Sequence, residues 1–228
     1  MSATSHGDPY SAWLSSLSAS TASVSAIESW QDRRFRFAHR TAELLTAGIH
    51  GSPSVTGPVV YGIHLDGAGL VYIGQTREAE RRLRDLPVGE SHHLANTIPP
   101  ELWERVIVVQ WPRLVEHVPS AEQDAIRAMG PAVCGLALEH LLQVREKPPL
   151  NSRRRTRSGE WRLRQLAESR SQGARHASVI PALLAGTLEV WHQLRRIPRT
   201  EDGVATLDDV GRVVFPATAL EALGPGTS

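Results

Sequence analysis

The sequence predicts an α/β sandwich (α+β class) in which helices flank a small three-stranded mixed sheet. Two β-rich runs, residues 58–65 and 70–74, flank Asp66-Gly67-Ala68-Gly69, a short glycine-containing connection that is typical of a β-hairpin. Residues 103–111 have a strongly β-branched centre, which predicts a third and central strand. Helical patterns follow the hairpin and the third strand, so the predicted order of elements is β-β-α-β-α-α.

The predicted helices have clear start and stop signals. Directly after Gln75-Thr76 the pattern becomes helical and basic, with arginines at positions 77, 81, 82 and 84. Pro119-Ser120 opens the next helix, with Ser120 as the expected cap. Gly130-Pro131 breaks that helix, and a second one is predicted from about residue 132 to residue 146, where Lys147-Pro148-Pro149 ends it.

Three regions follow from this pattern. Residues 1–56 are predicted to be a helical N-terminal extension and linker, with a role in packing or in homodimerisation. Residues 57–155 contain the predicted sheet and its helices. Residues 156–228 contain a basic linker and a mixed C-terminal extension, with short β-like runs near 204–207 and 212–215.

Composition excludes several classes of protein. The chain has 228 residues, of which 41% are hydrophobic, so it can bury a core and is not broadly disordered. No apolar run approaches the roughly 18 residues of a membrane span, and the amino terminus lacks the pattern of a secretory signal. We therefore expect a cytoplasmic protein without a membrane partner. Cys134 is the single cysteine, which excludes an internal disulfide and a cysteine-rich zinc site.

Basic residues are concentrated in one segment. The whole chain has a net charge of +1, but residues 145–175 contain ten basic and three acidic side chains, a local charge of +7. Arginines around a tryptophan suit contact with a phosphate backbone and stacking on the indole, which points to nucleic acid. A solvated, charged linker is the alternative interpretation. The candidate substrate-binding residues of this segment are Arg153, Arg154, Arg155, Arg157 and Trp161.

Two motifs in register resemble a known family of nucleases. The hairpin contains Val59-Val60-Tyr61 and Tyr72-Ile73-Gly74 and is followed by the arginine-rich helix, which resembles the start of the GIY-YIG nuclease domain. The second half-motif matches the family name letter for letter, whereas the first has valine in place of glycine. Glu139 among leucines, followed by Lys147-Pro148 and then Asn151, is similar to the end of this domain in UvrC-type excision-repair proteins.

The resemblance covers residues 57–155 and implies a catalytic set of Tyr61, Tyr72, Arg82, Glu139 and Asn151. By this resemblance Glu139 holds one divalent cation, Mg²⁺ or Mn²⁺, and Tyr61 is the general base for the attacking water. Tyr72 hydrogen-bonds the water or the phosphate, and Arg82 neutralises the charge that develops on the phosphoryl group. Asn151 orients a strand or a phosphate near the site. An ion pair between Glu139 and an arginine is the structural alternative to a metal.

Less specific positions complete the set of candidate residues. Gly74 belongs to the second half-motif, and His92 and His93 lie where homing-type members of the family carry a loop histidine, although a plain surface loop is an equal alternative. The implied function is a divalent-metal-dependent DNA endonuclease of restriction or defence type, with RNA left open as the substrate. The alternative is a non-catalytic nucleic-acid-binding protein that has the same fold.

Overall fold

The computed structural model describes residues 9–49, 51–89 and 94–222. It contains one large sheet and one short hairpin. The large sheet has the strand order β2-β1-β3-β7-β6, and every neighbouring pair is antiparallel. The seven strands are β1 (Val59–Leu65), β2 (Gly69–Thr76), β3 (Trp103–Val109), β4 (Arg153–Arg155), β5 (Trp161–Leu163), β6 (Val204–Leu207) and β7 (Gly211–Val214).

The α/β class is confirmed, and so is the central position of β3, but the predicted three-stranded mixed sheet is wrong in strand number and in direction. The sheet has five strands because β7 pairs with the second edge of β3, with Val106 opposite Val214. The β6–β7 hairpin lies within residues 156–228, so the predicted division after residue 155 runs through a single sheet. The short β-like runs near 204–207 and 212–215 were correctly predicted as strands.

Helices cover both faces of the sheet. Alternate residues of β3 point to opposite sides: Ile107 and Val109 belong to one buried cluster, and Val106 and Val108 belong to the other. The first cluster includes side chains of α5 and α7, and the second includes side chains of α2 and α3. The helices are α1 (Pro9–Ser20), α2 (Val24–Thr46), α3 (Ala79–Asp85), α4 (Leu94–Thr97), α5 (Ser120–Glu146), α6 (Gln172–His176), α7 (Pro181–Arg196) and α8 (Pro216–Ala222).

Helix α5 supports the sheet at β2 and carries the motif glutamate. It is kinked at Gly130, whose φ of 72° and ψ of 165° are not helical, so the predicted break between two helical segments is confirmed. Pro119 occupies the cap position and Ser120 is already helical, which makes the expected Ser120 cap wrong. By length and composition α5 could cross a membrane, yet its residues Cys134, Ala137 and Leu138 are fully buried in the core beneath the sheet.

Two buried charges join distant parts of the chain. The carboxylate of Glu122 accepts hydrogen bonds from Ala182 N at 3.0 Å and Leu183 N at 2.7 Å, and so caps the start of α7. The guanidinium of Arg212 donates to the carbonyl oxygens of Leu44 at 2.9 Å and Ala47 at 2.7 Å, at the end of α2. These contacts fix α7 to α5 and the N-terminal extension to the sheet.

Only part of the N-terminal extension packs into the core. The second half of α2 is buried, including Phe37 and Leu45, which are both 0% exposed. Apolar side chains on α1 and on the first half of α2 stay exposed, among them Trp13, Ile27 and Trp30. Packing by residues 1–56 is therefore confirmed for the end of α2, whereas homodimerisation stays a prediction.

Candidate active site

The β1–β2 hairpin brings the two motif tyrosines together. Tyr61 lies opposite Gly74, and Tyr72 lies opposite Ile63. The tyrosine ring centroids are 6.1 Å apart, and the rings are tilted by 41°. A Cβ atom on Gly74 would lie 2.6 Å from the Cζ and hydroxyl oxygen of Tyr61 and 2.9 Å from Cε1 of Tyr72. Glycine is therefore required at position 74 because both rings occupy the space above it, and a contact between Gly74 and substrate stays a prediction.

Arg82 and Glu139 approach the tyrosine pair from different helices. Arg82 lies on α3, which begins three residues after β2, and Glu139 lies on α5. Burial raises the pKa of Tyr61 to about 12, Arg82 opposes this rise, and Glu139 adds to it. Burial also raises the pKa of Tyr72, with further rises from Tyr61 and Glu139. Because Arg82 and Glu139 both affect the ionisation of Tyr61 and Tyr72, the four predicted residues lie near one another.

Glu139 is largely removed from water and has polar and charged neighbours. The neighbouring side chains of Leu138 and Leu142 are fully buried, and the Glu139 carboxylate accepts one hydrogen bond, from Gln143 Nε2 at 3.0 Å. Burial raises the pKa of Glu139 to about 7, and the nearby arginines Arg164 and Arg82 lower it in part. Among the described residues no ion pair within 4.0 Å includes Glu139, although Arg164 and Arg82 both attract its charge. The metal and its alternative, an arginine partner, both stay predictions.

Asn151 fixes the edge strand on which Tyr72 lies. Its buried side chain accepts a hydrogen bond from Ile73 N at 2.7 Å and donates one to Ile73 O at 2.9 Å. In this way the amide replaces the missing neighbour strand at the outer edge of β2. Leu150 N also donates to Val71 O at 3.0 Å. Asn151 was expected to orient either a strand or a phosphate. The structure contains its contacts to the strand, at Ile73, between Tyr72 and Gly74.

The basic segment is an ordered hairpin rather than an extended linker. Strands β4 and β5 pair with Arg153 opposite Leu163 and Arg155 opposite Trp161. Arg153 and Arg157 are exposed, and Trp161 is 67% exposed. Arg154 is in the middle of β4 and is described, like Arg155, only through its backbone. His92 and His93 lie outside the described residues.

Sequence reasoning missed two residues that contact the site. Gln143 hydrogen-bonds Glu139, and the signal was present because residues four apart share one face of a helix. Arg164 follows β5, donates to the carbonyl oxygen of Asn151 at 3.3 Å and lowers the pKa of Glu139. No sequence pattern linked Arg164 to Glu139, because their proximity depends on the fold of the β4–β5 hairpin.

The donor set fits one kind of cation. Among the described residues no group of three or more His, Cys, Asp or Glu side chains could hold a metal ion, which is the arrangement that zinc requires. A single carboxylate that is buried and incompletely hydrogen-bonded instead fits Mg²⁺ or Mn²⁺, because Mg²⁺ keeps several of its waters and binds through one or two carboxylates. Glu139 is the residue that would hold the ion.

Comparison of the chain with family models, with curated proteins and with solved structures finds no significant match. Any functional assignment therefore depends on the chemistry of the Tyr61, Tyr72, Arg82 and Glu139 cluster and of the surfaces beside it.

We predict that Gly74→Ala lowers the free energy of unfolding by about 1–3 kcal/mol, because the new methyl group overlaps the rings of Tyr61 and Tyr72. Urea unfolding measures the change. Gly186→Ala is the matched control, since a Cβ there would lie 4.0 Å from its nearest neighbour, Leu114. Gly186 is in helix α7, where alanine is favoured over glycine. Equal stability of the Gly74→Ala variant and the wild type would contradict the described ring packing.

We also predict an unusual pH dependence for the metal-free protein. The folded pKa of Glu139 is about 7 and its ordinary value is 4.5, so the folded state binds more protons than the unfolded state between these values. The free energy of unfolding of the wild type should therefore fall, relative to that of Glu139→Gln, as the pH rises from about 4.5 to about 7. Urea unfolding in EDTA across this range measures the difference, and a difference that is constant with pH would refute the prediction.

Proposed function

We propose that this protein is a divalent-metal-dependent DNA endonuclease that hydrolyses phosphodiester bonds. The observation that carries the proposal is the convergence of Tyr61, Tyr72, Arg82 and the buried carboxylate of Glu139 at one edge of the sheet. This set contains a proton-transfer group, a fixed positive charge and a cation ligand, which are the components of metal-assisted phosphoryl transfer. The motif resemblance to GIY-YIG nucleases supports the same reaction.

Each residue has a distinct role in this proposal. Arg82 binds the phosphate and offsets the negative charge that develops in the transition state. Tyr61 receives a proton from the attacking water, and Tyr72 orients that water or the phosphate. With a pKa of about 12, the effect of Arg82 included, the Tyr61 hydroxyl keeps its proton in the resting protein. Tyr61 would therefore act as a base only as the phenolate, after its own proton has passed to solvent, and a cation bound at Glu139 would favour that ionisation. Glu139 holds the cation, which when bound supplies Lewis-acid stabilisation of the phosphate and of the leaving oxygen.

Positive charge surrounds the cluster and favours a polyanionic substrate. Lys147, Arg153, Arg157 and Arg164 are all exposed and lie after α5 or on the β4–β5 hairpin. Each phosphate contact made by such side chains releases bound counterions and so favours binding. A restriction or defence role and a cytoplasmic location stay expectations from the sequence. A non-catalytic nucleic-acid-binding protein would use the same basic surface without cutting.

We predict that the wild type cuts plasmid DNA in Mg²⁺ or Mn²⁺ and that Glu139→Gln abolishes cleavage, because the amide keeps the shape of the side chain but cannot hold the cation. Tyr61→Phe should lower the cleavage rate at least about 100-fold, since proton transfer by a positioned side chain contributes about 10²–10⁴-fold. Gel assays of plasmid conversion measure the rates. Glu189→Gln, an exposed change on α7, is the matched control and should cut as the wild type does.

Two results would reject the nuclease assignment. One is an inactive wild type with every divalent ion tested while DNA still binds, which would favour the non-catalytic alternative. The other is a Glu139→Gln variant that cuts as fast as the wild type, which would remove the cation from the reaction. Cooperative thermal unfolding of the variants, with a midpoint no lower than that of the wild type, keeps the comparison free of folding defects.

A further inference from the structure

A second binding surface lies directly beside the tyrosine pair. It is an apolar groove of about 380 Å³ between α4, the end of α5 and the β4–β5 hairpin. Ligand pockets commonly have volumes of about 300–1,000 Å³ and combine apolar walls with a few polar groups. The groove has this character, and its lining includes Tyr72, Leu94, Pro149, Leu150, Arg153 and Trp161.

Trp161 gives the groove an aromatic wall that the fold does not use. Its side chain is 67% exposed, although an indole is among the largest apolar groups that a protein can bury. Leu150, on the same lining, is 36% exposed. An exposed aromatic face within a basic segment is the platform on which nucleobases stack, because every base has a flat π-face. The occupant that fits Trp161 is therefore a flat aromatic group attached to a negatively charged chain.

Basic side chains beside the groove suit the phosphates of that chain. A neighbouring groove has apolar walls that include Val144, Leu163 and Leu166, and its basic surface consists of Lys147, Arg153 and Arg164. Arg153 lines both grooves, so a cation lies where they meet. Arg164 also donates to the carbonyl oxygen of Asn151 at 3.3 Å, so this basic surface reaches the residue that holds β2 beside the tyrosine pair. A nucleotide can place its phosphate on this surface and its base against Trp161.

We propose that the Tyr72–Trp161 groove binds one unpaired nucleobase of the DNA substrate, next to the phosphate that is cut. Tyr72 belongs both to the groove and to the tyrosine pair, which places an occupant beside the cluster. A base within a paired and stacked duplex cannot enter the groove without leaving the stack, and this costs least where the base is already unpaired. The protein therefore selects DNA that contains an unpaired nucleotide. The position next to the cut depends on the proposed function, whereas the base site does not.

Binding in EDTA tests the base site without cleavage. The DNA probes are a duplex with a single bulged 2-aminopurine, the same duplex with an abasic bulge, and the fully paired duplex. The wild type should bind the 2-aminopurine bulge most tightly and quench its fluorescence. Trp161→Ala should weaken that binding by about 5- to 100-fold, the factor that stacking of one base supplies, and leave the other two affinities unchanged. Trp161→Phe should keep most of the preference.

Trp30→Ala is the matched control, because Trp30 is also exposed, at 46%, but lies on α2 and not in the groove. It should keep the preference of the wild type. Equal affinity of the wild type for bulged and paired DNA, or an unchanged preference in Trp161→Ala, overturns the base site. The thermal unfolding midpoint of Trp161→Ala should match that of the wild type, since the side chain is mainly exposed. If the midpoints differ, Trp161→Phe decides, and a failure of this variant to quench the 2-aminopurine fluorescence overturns the proposal.

Cleavage in Mg²⁺, measured separately, distinguishes this inference from the proposed function. If the protein cuts DNA but Trp161→Ala keeps the preference for the bulge, the endonuclease assignment holds and the base site is overturned. If Trp161 controls binding of the bulge but no DNA is cut, the base site is supported and the endonuclease assignment fails. If no DNA binds at any salt concentration, both are overturned.

Discussion

Desolvation of the Glu139 carboxylate, which accepts one hydrogen bond from Gln143, is the constraint on which the cluster depends. Removing a carboxylate from water is costly unless a cation or several donors compensate. Here compensation is incomplete, because Arg82 and Arg164 lower the pKa of Glu139 but burial still raises it to about 7. Burial raises the pKa of both tyrosines, and the same negative charge adds a smaller rise, so both stay protonated. A divalent cation would relieve this penalty at its source.

The position of the tyrosines depends on how the edge of the sheet is finished. Among the described strands none pairs with the outer edge of β2, and its outer N–H and C=O at Ile73 bind the side-chain amide of Asn151 instead. This contact prevents fraying of β2 at the residue between Tyr72 and Gly74 and occupies an edge that could pair with another chain. Since Asn151 lies just beyond α5, the same contact sets the distance between the hairpin and the helix that carries Glu139.

Local signals allowed the sequence to predict much of the site. The glycine-containing turn after Asp66 determines the hairpin, and the hairpin register by itself places Tyr61 near Tyr72. The break at Gly130-Pro131 and the i, i+4 spacing of Glu139 and Gln143 are also properties of a few consecutive residues. Such features do not depend on the rest of the fold. Spacing and residue type therefore predicted the hairpin and the helix break, and the same reasoning could have found the contact between Glu139 and Gln143.

Long-range pairings were beyond the sequence. Strand β7 joins β3 across about 100 residues of chain, and nothing in the run Gly211–Val214 specifies which edge it will meet. Arg164 approaches Glu139 only because β4 and β5 pair, and the arginine-rich composition of that segment indicated nucleic-acid contact or a solvated linker but no hairpin. The exposed Trp161 wall of the groove depends on the same pairing.

The most direct test of the central claim is a titration with Mn²⁺ followed by electron paramagnetic resonance, because it observes the cation without any reaction. The buried Glu139 carboxylate predicts one Mn²⁺ per chain in the wild type, with affinity that falls as the pH drops below about 7 and the carboxyl group takes up its proton. Glu139→Gln should lose this binding, and Glu189→Gln should keep it. Equal Mn²⁺ affinity in the wild type and in Glu139→Gln would contradict the role of Glu139 as the cation ligand.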